Sequence, residues 1–98
     1  PWIVMKAGMS LDAKISHQRG LGGPITGEQS RLLTHRLRDS LDAILIGVGT
    51  AFIDDPSLTT RLPGDRGRDP LRVILDTSLR LDLQAKLLRQ ESAAPTWI

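Results

Sequence analysis

The chain contains no cysteine, which excludes disulfides, thiolate nucleophiles and cysteine-ligated zinc together. A reducing cytoplasm is the compartment that suits it. Aromatic residues amount to 3%, and none is interleaved with a basic stripe, so the stacking platforms of base-reading modules are missing. No apolar run approaches the length needed to cross a bilayer, and the Pro1-Trp2 opening has no signal-peptide character, so a soluble protein without membrane contact is expected. Neither sign of charge dominates: thirteen Lys and Arg face eleven Asp and Glu, for a formal net charge of +2. Nucleic acid is therefore not an expected partner, whereas small anionic molecules are. His17 and His35 lie far apart in sequence with no acidic ligand cluster around them, so no metal site is expected.

With few aromatics, a core must come from Leu, Ile, Val and Ala, and these occur in short segments. At 98 residues the chain fits one small domain. Trp2 to Ala7 reads as a first, buried strand. Gly8 to Pro24 is rich in Gly and Ser and reads as a long loop carrying one helical turn; loops of this length in compact domains are often functional. Thr26 and Gln29 form a capping-box signature, and Leu32, Leu33, Leu37 and Leu41 recur near helical spacing, which predicts a helix from Gly27 to Ser40. Ala43 to Gly47 and Leu71 to Leu75 read as further strands, and Thr96-Trp97-Ile98 as the opening of a fourth. The Pro63 to Pro70 tract is rich in Gly, Pro and charge and predicts an exposed, disorder-prone loop. Trp2 and Trp97 are expected in the core, and His35 is expected to hydrogen-bond at the helix surface. The chain ends on a strand pattern, so the expectation is a half-domain whose remaining strand surface is covered by further chain or by a partner.

The stretch from Asp42 to Arg61 carries the strongest functional signal. Ala43-Ile44-Leu45-Ile46 is a continuous apolar run suited to a strand covered on both faces. Gly47-Val48-Gly49-Thr50 follows at its carboxyl end, where glycine permits close backbone approach, Thr50 can cap the next helix, and ligands of open α/β sheets gather. Asp54-Asp55-Pro56 then supplies carboxylates and a fixed turn, and Arg61 a cation. From the residues alone, the Asp pair reads as a turn before Pro56. Arg38 could be a solvated last-turn cation meeting the helix dipole.

Lys6-Ala7-Gly8-Met9-Ser10-Leu11-Asp12-Ala13-Lys14, Ile25-Thr26-Gly27, His35-Arg36-Leu37-Arg38 and the Asp42 to Arg61 run, in this order, resemble the reductase domain of the bifunctional riboflavin-biosynthesis deaminase/reductase. The resemblance continues through Pro70 to Asp76 and on to Thr96-Trp97. It implies a dihydrofolate-reductase-like α/β fold, of which this chain is the N-terminal half, with a mainly parallel sheet flanked by helices. It also implies reduction by NADPH of the ribosyl group of 5-amino-6-ribosylaminouracil 5′-phosphate to ribityl, in a homodimer. By position, the family's cofactor contacts fall on Gly8, Thr50, Asp54 and Thr77, with Asp55 left as a turn residue. Substrate contacts fall on Arg38, Leu58 and Arg61; the arginines suit a ribose phosphate because a guanidinium fork can hold two phosphate oxygens. Lys14 either faces the ribosyl group, as the family's basic residue there suggests, or is a surface lysine.

The sequence departs from the family where a Ser, a spacer and a Trp usually precede Ile-Thr, since Gly22-Gly23-Pro24 stands there. Gly22 then offers only backbone to a substrate, and Pro24 offers a smaller surface to a nicotinamide. Ala13 also replaces a common glycine. No deamination is expected of this polypeptide, because the companion domain's zinc signature needs cysteine. A dihydrofolate-reductase-like reductase of another small molecule stays open as an alternative, as does a non-catalytic half-domain, and no catalytic acid can be named.

Overall fold

The computed structural model describes residues 1–98 except Asp65, which lies within the expected 63–70 loop. In chain order the elements are α1 (Glu28–Ser40), β1 (Ala43–Gly47), α2 (Val48–Asp54), β2 (Leu71–Leu75), α3 (Lys86–Arg89) and β3 (Thr96–Trp97). The strands form one parallel three-stranded sheet in the order β1-β2-β3. Parallel neighbours require crossovers, and α2 and α3 lie within these. The expected α/β class, with a parallel sheet flanked by helices, is the one the chain adopts.

Strand register decides which side chains share a face. Ile44 pairs with Arg72 and Ile46 with Ile74, and this face meets the core of Val48, Ala51, Leu58, Ile74 and Leu87, with Leu81, Ala85 and Leu88 packed around it. Helices α2 and α3 and the loop residue Leu58 therefore close one side of the sheet. On the other side Leu45 pairs with Val73, and Val73 with Trp97; Leu45 is 58% exposed and Trp97 63%. The expectation that β1 is covered on both faces is thus corrected, because α2, Leu58 and α3 all gather on one side, and Trp97 is not a core residue.

Arg72 is buried on the core face. It is tolerated because its donors are used: Nε donates to Thr96 Oγ1 at 2.9 Å, Nη1 to Ser92 Oγ at 3.0 Å, and Nη2 to the Ala94 carbonyl. Ser92 in turn donates to Asp69 Oδ2 at 2.7 Å. This network fastens the segment leading into β3 to the central strand, as buried charge demands.

Several local expectations are corrected. Trp2 to Ala7 forms no strand, and Trp2 is 85% exposed. A strand needs a ladder partner as well as an apolar pattern, and among the described residues none pairs with this segment. The helix occupies the expected span, but its N-cap is Gly27 and no side chain caps it, so Thr26 and Gln29 make no capping box. Thr50 is not a cap either, since α2 begins at Val48 with Gly47 as N-cap. The 8–24 loop contains no helical turn. Instead Ser10 closes a tight turn on Lys14, with Ser10 N–H donating to Lys14 O at 2.9 Å. Ala13 lies in that turn at φ 61, the left-handed region that glycine occupies without strain. Among the described residues no helix is long and apolar enough to cross a membrane.

Candidate functional site

Two constellations emerge from these elements. The first is a cleft of about 150 Å³ lined by Ile15, Ser16, Gly22, Thr50, Ile53 and Asp54 among others. Thr50 and Asp54 are one helical turn apart on α2, so they share a face, and that face looks onto the Gly20–Gly23 loop. Gly22 is backed directly onto the helix end: a Cβ there would meet Asp54 Oδ1 and lie 3.1 Å from the Ile53 carbonyl oxygen. Gly47 and Gly49 have open space where a Cβ would sit. The carboxyl end of β1 is therefore open to a ligand's close approach, as strand ends of α/β sheets commonly are.

Because Gly47 pairs with Leu75, the chain leaves the sheet at one edge toward both Thr50 and Thr77, and Thr77 is exposed. Gly8 does not follow a strand; it lies against Thr26, whose Cγ2 would be 3.2 Å from a Cβ at position 8. Pro24 contributes its carbonyl to His17 Nε2 at 3.2 Å. Lys14 is exposed in its tight turn.

The second constellation is basic and surrounds residues 58–61. Leu58 is buried in the core at φ 57, so its side chain anchors the loop and only its backbone is available to a ligand. Arg38 Nη1 donates to the Thr59 carbonyl at 2.9 Å, and its buried Nε has no partner among the described residues. Arg61 is exposed, with Nη1 donating to Thr59 Oγ1 at 2.8 Å. Burial lowers the Arg38 pKa, and so does the positive charge of Arg61, while Asp69 acts in the opposite direction. Like charges held together in this way suit a shared anionic ligand. Arg61 does not line the Thr50–Asp54 cleft; the structure groups it with Arg38 and Leu58.

His35 is 5% exposed, which corrects the surface reading. Its Nδ1 accepts the Arg61 backbone N–H at 3.1 Å. Burial lowers its pKa most, followed by Arg38 and Arg61; the Thr59 backbone raises it, and Arg31 adds a smaller lowering effect. Asp69 accepts from Thr60 N–H at 2.7 Å. Burial pushes its carboxyl up, but the bonds from Thr60 and Ser92 and the charges of Arg72 and Arg61 outweigh that, so the net shift is downward. Asp69 and Thr59 are parts of this site that reading the sequence did not single out, and His35 was expected only at the helix surface. The available signal was the Arg31-His35-Arg38 spacing, which places all three on one face of α1.

A parallel α/β sheet with a cleft at the carboxyl end of its first strand is consistent with the dihydrofolate-reductase-like class, which the likeness to a solved deaminase/reductase supports. The sequence profile of the RibD C-terminal domain matches residues 1–98, and the chain belongs to that family. It is 46% identical over 98 residues to the riboflavin biosynthesis protein RibD of Bacillus amyloliquefaciens, covering 100% of this chain and 26% of that protein. It is 37% identical over 99 residues to the 2,5-diamino-6-ribosylamino-4(3H)-pyrimidinone 5′-phosphate reductase of Methanothermobacter thermautotrophicus, covering 100% of this chain and 44% of that one. A crystal structure of the Thermotoga maritima diaminohydroxyphosphoribosylaminopyrimidine deaminase/5-amino-6-(5-phosphoribosylamino)uracil reductase superposes with a TM-score of 0.78 at 34% identity, over 92% of this chain and 25% of that one. The chain thus spans about a quarter to under half the length of these relatives.

Proposed function

We propose that this chain is part of a reductase of riboflavin biosynthesis that uses NADPH to reduce the ribosyl group of 5-amino-6-ribosylaminouracil 5′-phosphate to ribityl. The observation that carries the proposal is the meeting of Gly22, Thr50 and Asp54 in one cleft, in a chain whose relatives include a named pyrimidinone ribosyl phosphate reductase. The open positions above Gly47 and Gly49 leave the backbone there accessible to a ligand's close approach. Thr50 and Asp54 would hydrogen-bond it, with Gly8, Pro24 and Thr77 completing its contacts. When bound, NADPH supplies the hydride delivered to C1′ of the ring-opened sugar. Arg38 and Arg61 would hold the phosphate, the Leu58 backbone and Gly22 would border the substrate, and Lys14 would approach the ribosyl group. The protein's contribution is then mainly orientation and exclusion of water. Cytoplasmic location and a homodimer belong to the same reading.

The reading is tested by NADPH consumption with the pyrimidine ribosyl phosphate and, separately, with dihydrofolate, using the full gene product. Turnover of the former alone is expected. Turnover of dihydrofolate alone would favour the second reading, a reductase of another small molecule, which Gly22-Gly23-Pro24 supports. A finer test is Gly22→Ala. The added Cβ must displace the Asp54 carboxylate, the far end of an exposed side chain. An off-rotamer shift costs about 0.5–1.5 kcal/mol, so NADPH affinity, followed by nicotinamide fluorescence, should fall about twofold to tenfold. Unchanged affinity would remove Asp54 from the cofactor site.

A further inference from the structure

Residues 59–61 are tied to the fold through consecutive main-chain atoms. The Thr59 carbonyl accepts from Arg38 at 2.9 Å, Thr60 N–H donates to Asp69 Oδ1 at 2.7 Å, and Arg61 N–H donates to His35 Nδ1 at 3.1 Å. Two of these anchors, His35 and Arg38, come from one face of α1, and the third comes from the segment entering β2. His35 is itself buried, so it does not reach a ligand, yet it fixes the backbone from which the exposed Arg61 side chain departs.

We propose that His35 is a positioning residue for phosphate recognition: acting as a hydrogen-bond acceptor at Nδ1, it sets the placement of Arg61 beside Arg38. The inference deepens the substrate reading above and rests on it. An imidazole that accepts at Nδ1 carries its proton on Nε2, and a doubly protonated ring has no acceptor to offer. Its surroundings favour the acceptor form: Arg38 and Arg31 from α1 and Arg61 from the loop all oppose a further positive charge there, as does burial, against an opposing effect of the Thr59 backbone. Losing the acceptor would leave the Arg61 N–H unpaired in a part-buried site.

The test uses the full gene product with His35→Leu, which keeps bulk but removes the acceptor, and His35→Asn, whose Oδ1 can replace Nδ1. His35→Leu should raise the KM for the ribosyl phosphate about tenfold, leave kcat and the KM for NADPH within about twofold, and His35→Asn should recover most of the loss. A folded His35→Leu protein with unchanged substrate KM, or one in which all constants move together, would overturn the proposal, as would an Asn variant no better than Leu. If His35→Leu does not fold, the ¹⁵N imidazole spectrum of the unaltered protein decides: an Nε2–H tautomer with Nδ1 bonded to the Arg61 amide supports it, and an Nδ1–H tautomer overturns it. Absence of turnover in the unaltered protein would instead sink the substrate reading, and the tautomer would still report on His35.

Discussion

Arg61→Ala is expected to raise the KM for the ribosyl phosphate by about 10- to 100-fold with little change in kcat, since a hydrogen bond to a charged group contributes about 1.5–3 kcal/mol and each 1.4 kcal/mol is a factor of ten. The split between constants follows from the role: a group that grips a remote phosphate equally in ground and transition states alters binding alone. Arg61 is well suited to the experiment because its guanidinium is exposed and, among the described residues, bonds only within its own loop, to Thr59 Oγ1. The fold should therefore survive the change, and a KM effect can be assigned to recognition. Arg38→Ala would be harder to interpret, because it also severs the bond to the Thr59 carbonyl. Steady-state kinetics with varied phosphorylated substrate at saturating NADPH gives the answer. A KM equal to that of the unaltered protein would show that Arg61 holds no phosphate.

The largest stability effect is expected at Ile74. It is among the most completely buried side chains, sits on the central strand β2, and faces the core formed by α2, Leu58 and α3. Ile74→Ala removes three carbons from a site walled on several sides, so the loss should be about 2–5 kcal/mol. Leu45→Ala, on the opposite face and largely exposed in this chain, should cost about 1 kcal/mol or less. Urea unfolding followed by tryptophan fluorescence measures both. Equal losses would mean that the two faces of the sheet are equally covered, contrary to the one-sided core described above.

How far the sequence could be read depended on whether a feature was local. Helix α1 and strands β1 and β2 follow from spacing within a few residues, and they lie within about a residue of the expected bounds. The Gly-rich stretch after β1 was legible as the end of that strand, but it opens helix α2 rather than a turn and loop, and Asp54 ends that helix. Trp2 to Ala7 was misread because its apolar pattern satisfies one condition for a strand while the other, a neighbour offering N–H and C=O groups, is not written in the segment itself. Arg72 and His35 were opaque on similar grounds. A charged residue within a strand and a histidine on a helix are ordinarily solvent-facing, and only the approach of Ser92, Thr96 and the 59–61 loop from distant parts of the chain makes their burial tolerable. The assignment of Arg38, Leu58 and Arg61 came from family likeness, and the fold does bring these residues to one loop and its supporting helix.

Leu58 carries a last consequence. A leucine at φ 57 holds about 1–2 kcal/mol of unfavourable backbone conformation, and it keeps that shape because its side chain is plugged into the core while the next three residues are pinned. Such a segment has little left to lose in freedom when an anion arrives. On the proposed reading, the entropic cost of shaping the rim is met during folding, so a phosphate would dock onto a rigid, preorganised edge.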